Sequence, residues 1–213
     1  MNVGRRMSHP VFTVQPETPI TKAHELMDRE KIHRAPVVKN GKLVGIVTIN
    51  DIMKAYPSSA TSLAVWEVTS LLAKITVKDI MVKNVRTVQE STSIEEAARI
   101  MADNKVSALP VMRENELVGI ITETDLFRIM LEMLGARHPG VRFSVLMPYR
   151  PGEIAKLSQA IYQRNGNIIA LSTFEGDTSS DFMMTVKVEG IELEELRKIV
   201  EPLVINLLEI GPS

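Results

Sequence analysis

Gly45-Ile46-Val47-Thr48-Ile49-Asn50-Asp51 and Gly119-Ile120-Ile121-Thr122-Glu123-Thr124-Asp125 are one pattern written twice, an apolar run that turns into Thr-x-x-Asp. Working outward from it, residues 3–54 align with residues 77–128 without a gap, at a constant offset of 74. Such a duplication implies two copies of one supersecondary unit packed around a quasi-symmetric groove. In the first copy Thr13-Val14 reads as a short extended start, and Pro19 opens an amphipathic helix carrying Ile20, Ala23, His24 and Met27, with Thr18 as candidate cap. Pro36-Val37-Val38 and residues 43–47 are β-branched runs joined by Lys39-Asn40-Gly41-Lys42, whose Asn-Gly pair signals a hairpin. A second helix follows from Thr48 to about Tyr56. The second copy repeats the order: Thr87-Val88, a helix over 93–104, strands at 110–112 and 117–121, and a helix over 122–134 ended by Gly135. Each copy therefore reads β-α-β-β-α.

Between the copies, residues 57–62 are rich in turn formers and residues 63–74 return to helical spacing, which predicts an ordered connecting helix. Gly135-Ala136-Arg137-His138-Pro139-Gly140 marks a second boundary. Beyond it the pattern is strand 141–147, helix 151–164, strand 167–174, loop 175–181, strand 182–188, helix 193–200 and strand 203–210. That β-α-β-β-α-β order suits a four-stranded antiparallel sheet with both helices on one face. The expected class is α/β (α+β), divided into a first repeat at 1–56, a linker at 57–76, a second repeat at 77–134, a linker at 135–140 and a C-terminal domain at 141–213.

With 45% hydrophobic and 24% charged residues among 213, the chain has the composition of a folded globular protein. A net charge of -1 and the lack of a basic run interleaved with aromatics leave no electrostatic footprint for nucleic acid. No stretch reaches the apolar length of a membrane span, and Met1-Asn2-Val3-Gly4-Arg5-Arg6 shows no apolar signal core, so cytoplasmic residence is the expectation. Zero cysteines exclude disulfides and thiolate chemistry.

Over residues 3–134 the doubled Gly-x-x-Thr-x-x-Asp, each preceded by Pro-Val and a hairpin, resembles a tandem of CBS domains. The C-terminal third resembles an ACT domain through Arg150-Pro151-Gly152-Glu153-Ile154 and Gly166-Asn167-Ile168. The combination resembles the bacterial acetoin-utilisation AcuB family, and residues 60–81 fit that resemblance too. It implies a link to acetoin or acetyl metabolism.

An Asp in the first turn of a helix offers acceptor oxygens to a ribose diol, and a Thr three residues earlier sets a hydroxyl beside free backbone N–H groups. Gly45 and Gly119 would let a ligand approach the strand. The resemblance implies the same roles: Asp51 and Asp125 on ribose, Thr48 and Thr122 on ribose or phosphate, and adenine on backbone near Thr13-Val14 and Thr87-Val88. Helix capping is the competing reading: it explains one copy comfortably, whereas the pair's presence in both copies favours ligand binding. The copies part at Ile32-His33-Arg34-Ala35-Pro36 against Val106-Ser107-Ala108-Leu109-Pro110. In relatives such as the gamma subunit of AMP-activated kinase, a His-Arg pair before Pro contacts the phosphate of the nucleotide whose ribose Asp lies in the partner repeat. The resemblance thus assigns His33 and Arg34 to the Asp125 site and leaves the Asp51 site with Ser107. The competing reading makes Arg34 a surface charge and His33 filler.

In the ACT-like part, Pro151-Gly152 before a helix suits an amino-acid carboxylate. Asn167 matches a ligand-binding asparagine, while Tyr149 departs from the Asn or Asp that amino-acid sensors carry there; a dimerisation module is the alternative. His24 and Asp28 share a helix face without a third metal ligand. The stripe Leu126, Ile129, Met130, Met133, Leu134 reads as an interface. No residue set assembles a nucleophile and base.

The expectation is a non-enzymatic regulator that requires no cofactor and no metal and takes AMP, ADP or ATP as regulatory ligand, with cyclic di-AMP and S-adenosylmethionine as further candidates. Its partners would be a second copy in a homodimer and an unidentified regulated protein, with neither nucleic acid nor membrane. The alternative is a ligand-free oligomerisation scaffold.

Overall fold

The computed structural model describes residues 1–56, 72 and 74–213, so the connecting helix expected over 63–74 lies almost wholly outside the described residues. The chain divides into two compact units, Met1–Leu126 and Phe127–Ser213. In the first unit, helix α1 (Ile20–Arg29) precedes strands β1 (Arg34–Lys39) and β2 (Lys42–Thr48) and helix α2 (Ile49–Ala55). The second copy supplies α3 (Val77–Ile80), β3 (Val88–Gln89), α4 (Ile94–Asn104), β4 (Ala108–Arg113), β5 (Glu116–Thr122) and α5 (Glu123–Met133).

Local chemistry explains these elements. Asn40 and Gly41 both take positive φ, 51° and 75°, which a two-residue hairpin with native twist requires. Its register sets Pro36 opposite Ile46, and the second hairpin sets Pro110 opposite Ile120. Both hairpins carry an irregularity at the equivalent place, Val37/Val38 and Val111/Met112. Ser93 caps α4 by accepting from the Glu96 N–H at 3.1 Å. Thr18 does not cap α1: Pro19 holds the N-cap position, and the Thr18 hydroxyl accepts from the Gln15 N–H at 3.2 Å.

The sequence repeat is not the packing unit. Each copy lends its first residues to the other: the Val3 N–H donates to the Thr92 carbonyl at 2.8 Å, and the Val77 N–H to the Thr18 carbonyl at 2.9 Å. Ser8 and Ile120 exchange two backbone hydrogen bonds at 2.9 and 3.2 Å, and Val82 and Ile46 do the same at 2.9 and 3.0 Å. Val77 is fully buried in one cluster with Val14, Ile20, Met27, Val37, Val47 and Ile52 of the first copy. Gly45 and Gly119 make this crossing possible. A Cβ at Gly119 would collide with Met7 and stand 3.1 Å from the Ser8 carbonyl; one at Gly45 would stand 2.6 Å from Met81 Sδ and 3.1 Å from the Val82 carbonyl. The glycines admit protein backbone, not the ligand that the sequence led us to expect there.

The second unit comprises β6 (Val141–Pro148), α6 (Glu153–Tyr162), β7 (Asn167–Glu175), β8 (Asp181–Glu189), α7 (Leu193–Val200) and β9 (Asn206–Pro212). Its antiparallel sheet runs β7-β8-β6-β9, the split β-α-β arrangement. Phe143, Val145 and Met147 of β6, with Met184, Val186 and Val188 of β8, bury against Leu157 and Ile161 of α6 and Leu196 and Val200 of α7. The strand expected from 203 begins at Asn206, because Pro202 extends α7 into a 3-10 turn over Glu201–Leu203. The unit boundary falls inside α5 rather than at 135–140. Gly135, at φ 60°, lies so close to the sheet that a Cβ would stand 2.8 Å from Ile169 Cγ2.

Gly119→Val should therefore lower the unfolding free energy by about 1–3 kcal/mol, the usual cost of overpacking a tight contact. Urea denaturation of the two proteins measures it, and an unchanged midpoint would show that residues 7–8 do not need the space.

Candidate functional site

The Thr-x-x-Asp corners form reciprocal caps. The Thr48 N–H and hydroxyl donate to Asp51 Oδ2 at 2.9 and 2.6 Å, and the Asp51 N–H donates back to Thr48 Oγ1 at 3.2 Å. In the second copy the same three bonds, between Thr122 and Asp125, measure 2.9, 2.8 and 3.3 Å. Thr76 and Asp79 build the same pair of donations at the start of α3, at 2.8 and 2.7 Å. Capping thus accounts for the motif's internal geometry, and its surroundings must carry any further role.

Those surroundings differ between the copies. Arg34, half-buried at the start of β1, donates from Nη1 to Ser107 Oγ at 2.6 Å across the repeats. Burial lowers the pKa of the Arg34 guanidinium, while the carboxylates of Glu123 and Asp125 raise it, so the cation of the first copy stands among the acids of the second. Ser107 also accepts through its carbonyl from the Glu123 N–H at 3.1 Å. Asp125 is buried, Asp51 half-buried, and His33 exposed. Arg34 borders a cavity of about 430 Å³ whose other lining residues are 7–12, Ile32 and Ile120.

The structure brings Arg34, Ser107, Thr122 and Asp125 to one end of the first unit, with the cavity beside them. It does not offer the backbone of Val14 to a ligand. The Val14 N–H donates to the Pro36 carbonyl at 3.1 Å and its carbonyl accepts from Val38 at 2.9 Å, so both groups are spent on β1. Val14 and Val88 are core residues, and Val88 pairs in parallel with Val111. Thr13 is exposed, and Thr87 lines a different, polar cavity of about 990 Å³ with Lys42, Lys83 and the two hairpin tips. The wall residues 7–12 and Ile32 escaped sequence reasoning. The signal available was that residues 7–8, like 81–82, sit at equivalent places ahead of each copy's first strand.

In the second unit, Gly152 lines a cavity of about 1040 Å³ with Tyr149, Arg150, Phe174 and Phe182. Asn167 does not join it. Its amide donates to Glu189 Oε1 at 2.7 Å at the start of β7, whereas the cavity adjoins that strand's end at Thr173–Gly176. Strand pairing separates the two ends by most of a nine-residue strand, roughly 25 Å, so Gly152 and Asn167 form no joint site within one chain. Glu153, with its side chain 5% exposed, accepts from Arg150 Nε at 2.6 Å and Lys156 Nζ at 2.9 Å. His24 stays 3.8 Å from Asp28 and edge-on to the Tyr56 ring. Among the described residues no cluster could hold a metal, and no helix is long and apolar enough to cross a membrane.

The CBS domain family model matches residues 3–58 and 77–132. Inosine-5′-monophosphate dehydrogenase of Thermoplasma acidophilum is 38% identical over 117 residues, which are 54% of this chain and 21% of that enzyme. The chain thus spans about a fifth of the length of the first curated relatives that it matches. A Vibrio cholerae crystal structure carrying the acetoin utilization (AcuB) designation superposes with a TM-score of 0.53 at 28% identity, covering 64% of this chain and 95% of that one. The CBS domain pair of protein MJ0100, solved with 5′-methylthioadenosine and S-adenosyl-L-methionine, gives a TM-score of 0.52 at 29% identity, covering 64% and 98%.

Hydrogen bonds from Lys156 and Arg150 hold the Glu153 carboxyl below the usual glutamate range. Its contribution to stability is complete above the unfolded-state pKa and is lost as pH falls through the lowered folded value. Acid unfolding of Glu153→Gln should accordingly begin from a lower plateau and show a shallower pH dependence in that window; an identical profile would contradict the linkage.

Proposed function

Since this chain belongs to the CBS domain family, we propose that it is a regulatory protein that binds an adenosine-type ligand in the groove around Asp125 and transmits occupancy to a partner or to a second copy. Paired CBS domains are generally regulatory, non-catalytic modules. The observation that carries the reading is the composite groove: Arg34 of the first copy beside Ser107, Glu123 and Asp125 of the second, next to an apolar cavity large enough for a nucleoside. Asp125 and Thr122 take the ribose, and residues 7–12, Ile32 and Ile120 enclose the base. Arg34, with His33 at the exposed rim, meets the 5′ substituent. Asp51, Thr48 and Ser107 form the lesser counterpart, without a cation. The MJ0100 pair, with its adenosine thioether and adenosine sulfonium, supports this ligand class, and AMP, ADP, ATP and cyclic di-AMP belong to the same test.

The second unit serves as an ACT-type regulatory module, a reading supported by its β-α-β-β-α-β order. Likeness to the AcuB-designated structure supports a setting in acetoin or acetyl metabolism. A scaffold role draws on a separate observation. Helix α5 exposes Phe127, Met130, Leu131 and Met133, an apolar surface suited to a homodimer. A thermal-shift screen with AMP, ADP, ATP, cyclic di-AMP and S-adenosylmethionine separates the two, since a pure scaffold responds to none.

Removing a charge-assisted hydrogen bond costs about 1.5–3 kcal/mol, so Asp125→Ala should weaken adenosine-ligand binding by about ten- to a hundred-fold in calorimetry. Asp79→Ala removes an equivalent cap outside this groove and should leave affinity unchanged. Equal losses in both variants would mean that capping, not ligand contact, is measured.

A further inference from the structure

Two departures from the internal symmetry meet at one end of the first unit. Where the second copy has Ala108, the first has Arg34; where the first has Ile49, the second has Glu123. Because the copies cross, these two substitutions are not separated but brought together. Arg34 binds Ser107 Oγ, and Ser107 accepts through its carbonyl from the Glu123 N–H. The Asp51 corner carries neither change, having Ile49 and Ala108 at the corresponding places. One groove therefore has a cation and an added carboxylate, and its twin has neither.

We propose that Glu123 makes the Asp125 groove selective by charge, favouring adenosine ligands with an uncharged or cationic 5′ substituent, a thioether or sulfonium class, over the di- and triphosphate. The inference rests on the adenosine-site reading above and adds the residue that sets its preference. Arg34 is the single permanent charge among the cavity's described lining residues, and it is already engaged by Ser107. Two carboxylates, Glu123 and Asp125, lie within electrostatic range of it. A polyphosphate entering here would meet one partly buried cation and two anions, and would have to draw Arg34 away from both acids. A neutral thioether needs no such exchange, and a sulfonium gains from the exposed Glu123 carboxylate at the rim. Size points the same way: at about 430 Å³ the cavity stands near the small end of ligand sites, sufficient for a nucleoside with a compact 5′ group.

The test is calorimetry on the full chain with 5′-methylthioadenosine, S-adenosylmethionine, AMP and ATP, for the wild type and Glu123→Gln. Because Glu123 is exposed, the variant should keep its thermal unfolding midpoint, which is measured alongside. The wild type should bind ATP at least about ten-fold more weakly than 5′-methylthioadenosine. Glu123→Gln should narrow that gap by about ten-fold at low salt, with little change for the neutral thioether. If wild type binds ATP most tightly, or the variant shifts all four ligands alike, Glu123 selectivity is overturned while the adenosine site stands. If none of the four binds, both fall together.

Discussion

Everything in the first unit depends on a backbone-to-backbone approach at two glycines. Met7-Ser8 lies against Gly119-Ile120, and Met81-Val82 lies against Gly45-Ile46, each contact sealed by a pair of hydrogen bonds. The Met7 and Met81 side chains already fill the space over the two glycines, and a Cβ there would also stand 3.1 Å from the following carbonyl, so glycine suits both crossings. Once made, it buries Val3 and Val77 completely and ties the copies into one unit. It also delivers residues 8–12 to the Thr-Asp corner of the other copy. A single copy therefore could not build the cavity beside Arg34, because its walls come from both.

That composite construction turns small sequence asymmetries into different electrostatic surroundings for the two Thr-Asp corners. In two independent repeats, an arginine at 34 and a glutamate at 123 would stand apart. Crossed, the half-buried Arg34 guanidinium comes within electrostatic range of Glu123 and Asp125, whose charges oppose the lowering effect of its burial. The Thr-x-x-Asp box contributes a rigid platform rather than specificity. The same pairing at Thr76/Asp79, and again between Thr178 and Asp181 in the β7–β8 loop, shows that it closes turns wherever it occurs. Meaning comes from what the platform faces. At Asp125 it faces a cation and a cavity.

The second unit follows a simpler rule. Alternation along β6 and β8 sends Phe143, Val145, Met147, Met184 and Val186 to one face, and the two helices cover that face. The β6–α6 turn is braced by Glu153 between Arg150 and Lys156, both Arg150 and Glu153 lining the cavity of about 1040 Å³. Gly152 shapes the turn, and its φ of 92° explains why a glycine stands there.

Local signals were legible because their causes are local. Asn40-Gly41 dictated its hairpin through positive φ, and the periodicities of residues 20–29, 94–104 and 193–200 their helices. The duplication itself announced two matched units and a groove. The sequence also contained the asymmetry of Arg34 against Ala108, which drew attention to the end where Arg34 meets Ser107. What it could not reveal was which chain segment occupies the space above each glycine, since the partners Met7 and Gly119 lie more than a hundred residues apart. Gly45 and Gly119 consequently read as ligand clearance, and Thr13-Val14 and Thr87-Val88 as adenine contacts, although the backbone of Val14 is consumed by β1. Gly152 and Asn167 looked like one site until strand register placed them at opposite ends of β7. The sequence by itself determined the elements, their duplication and the residues that break it. Only tertiary structure decided that the copies cross, and hence which charges meet, because hydrogen bonding between distant backbones leaves no periodic trace in side-chain order.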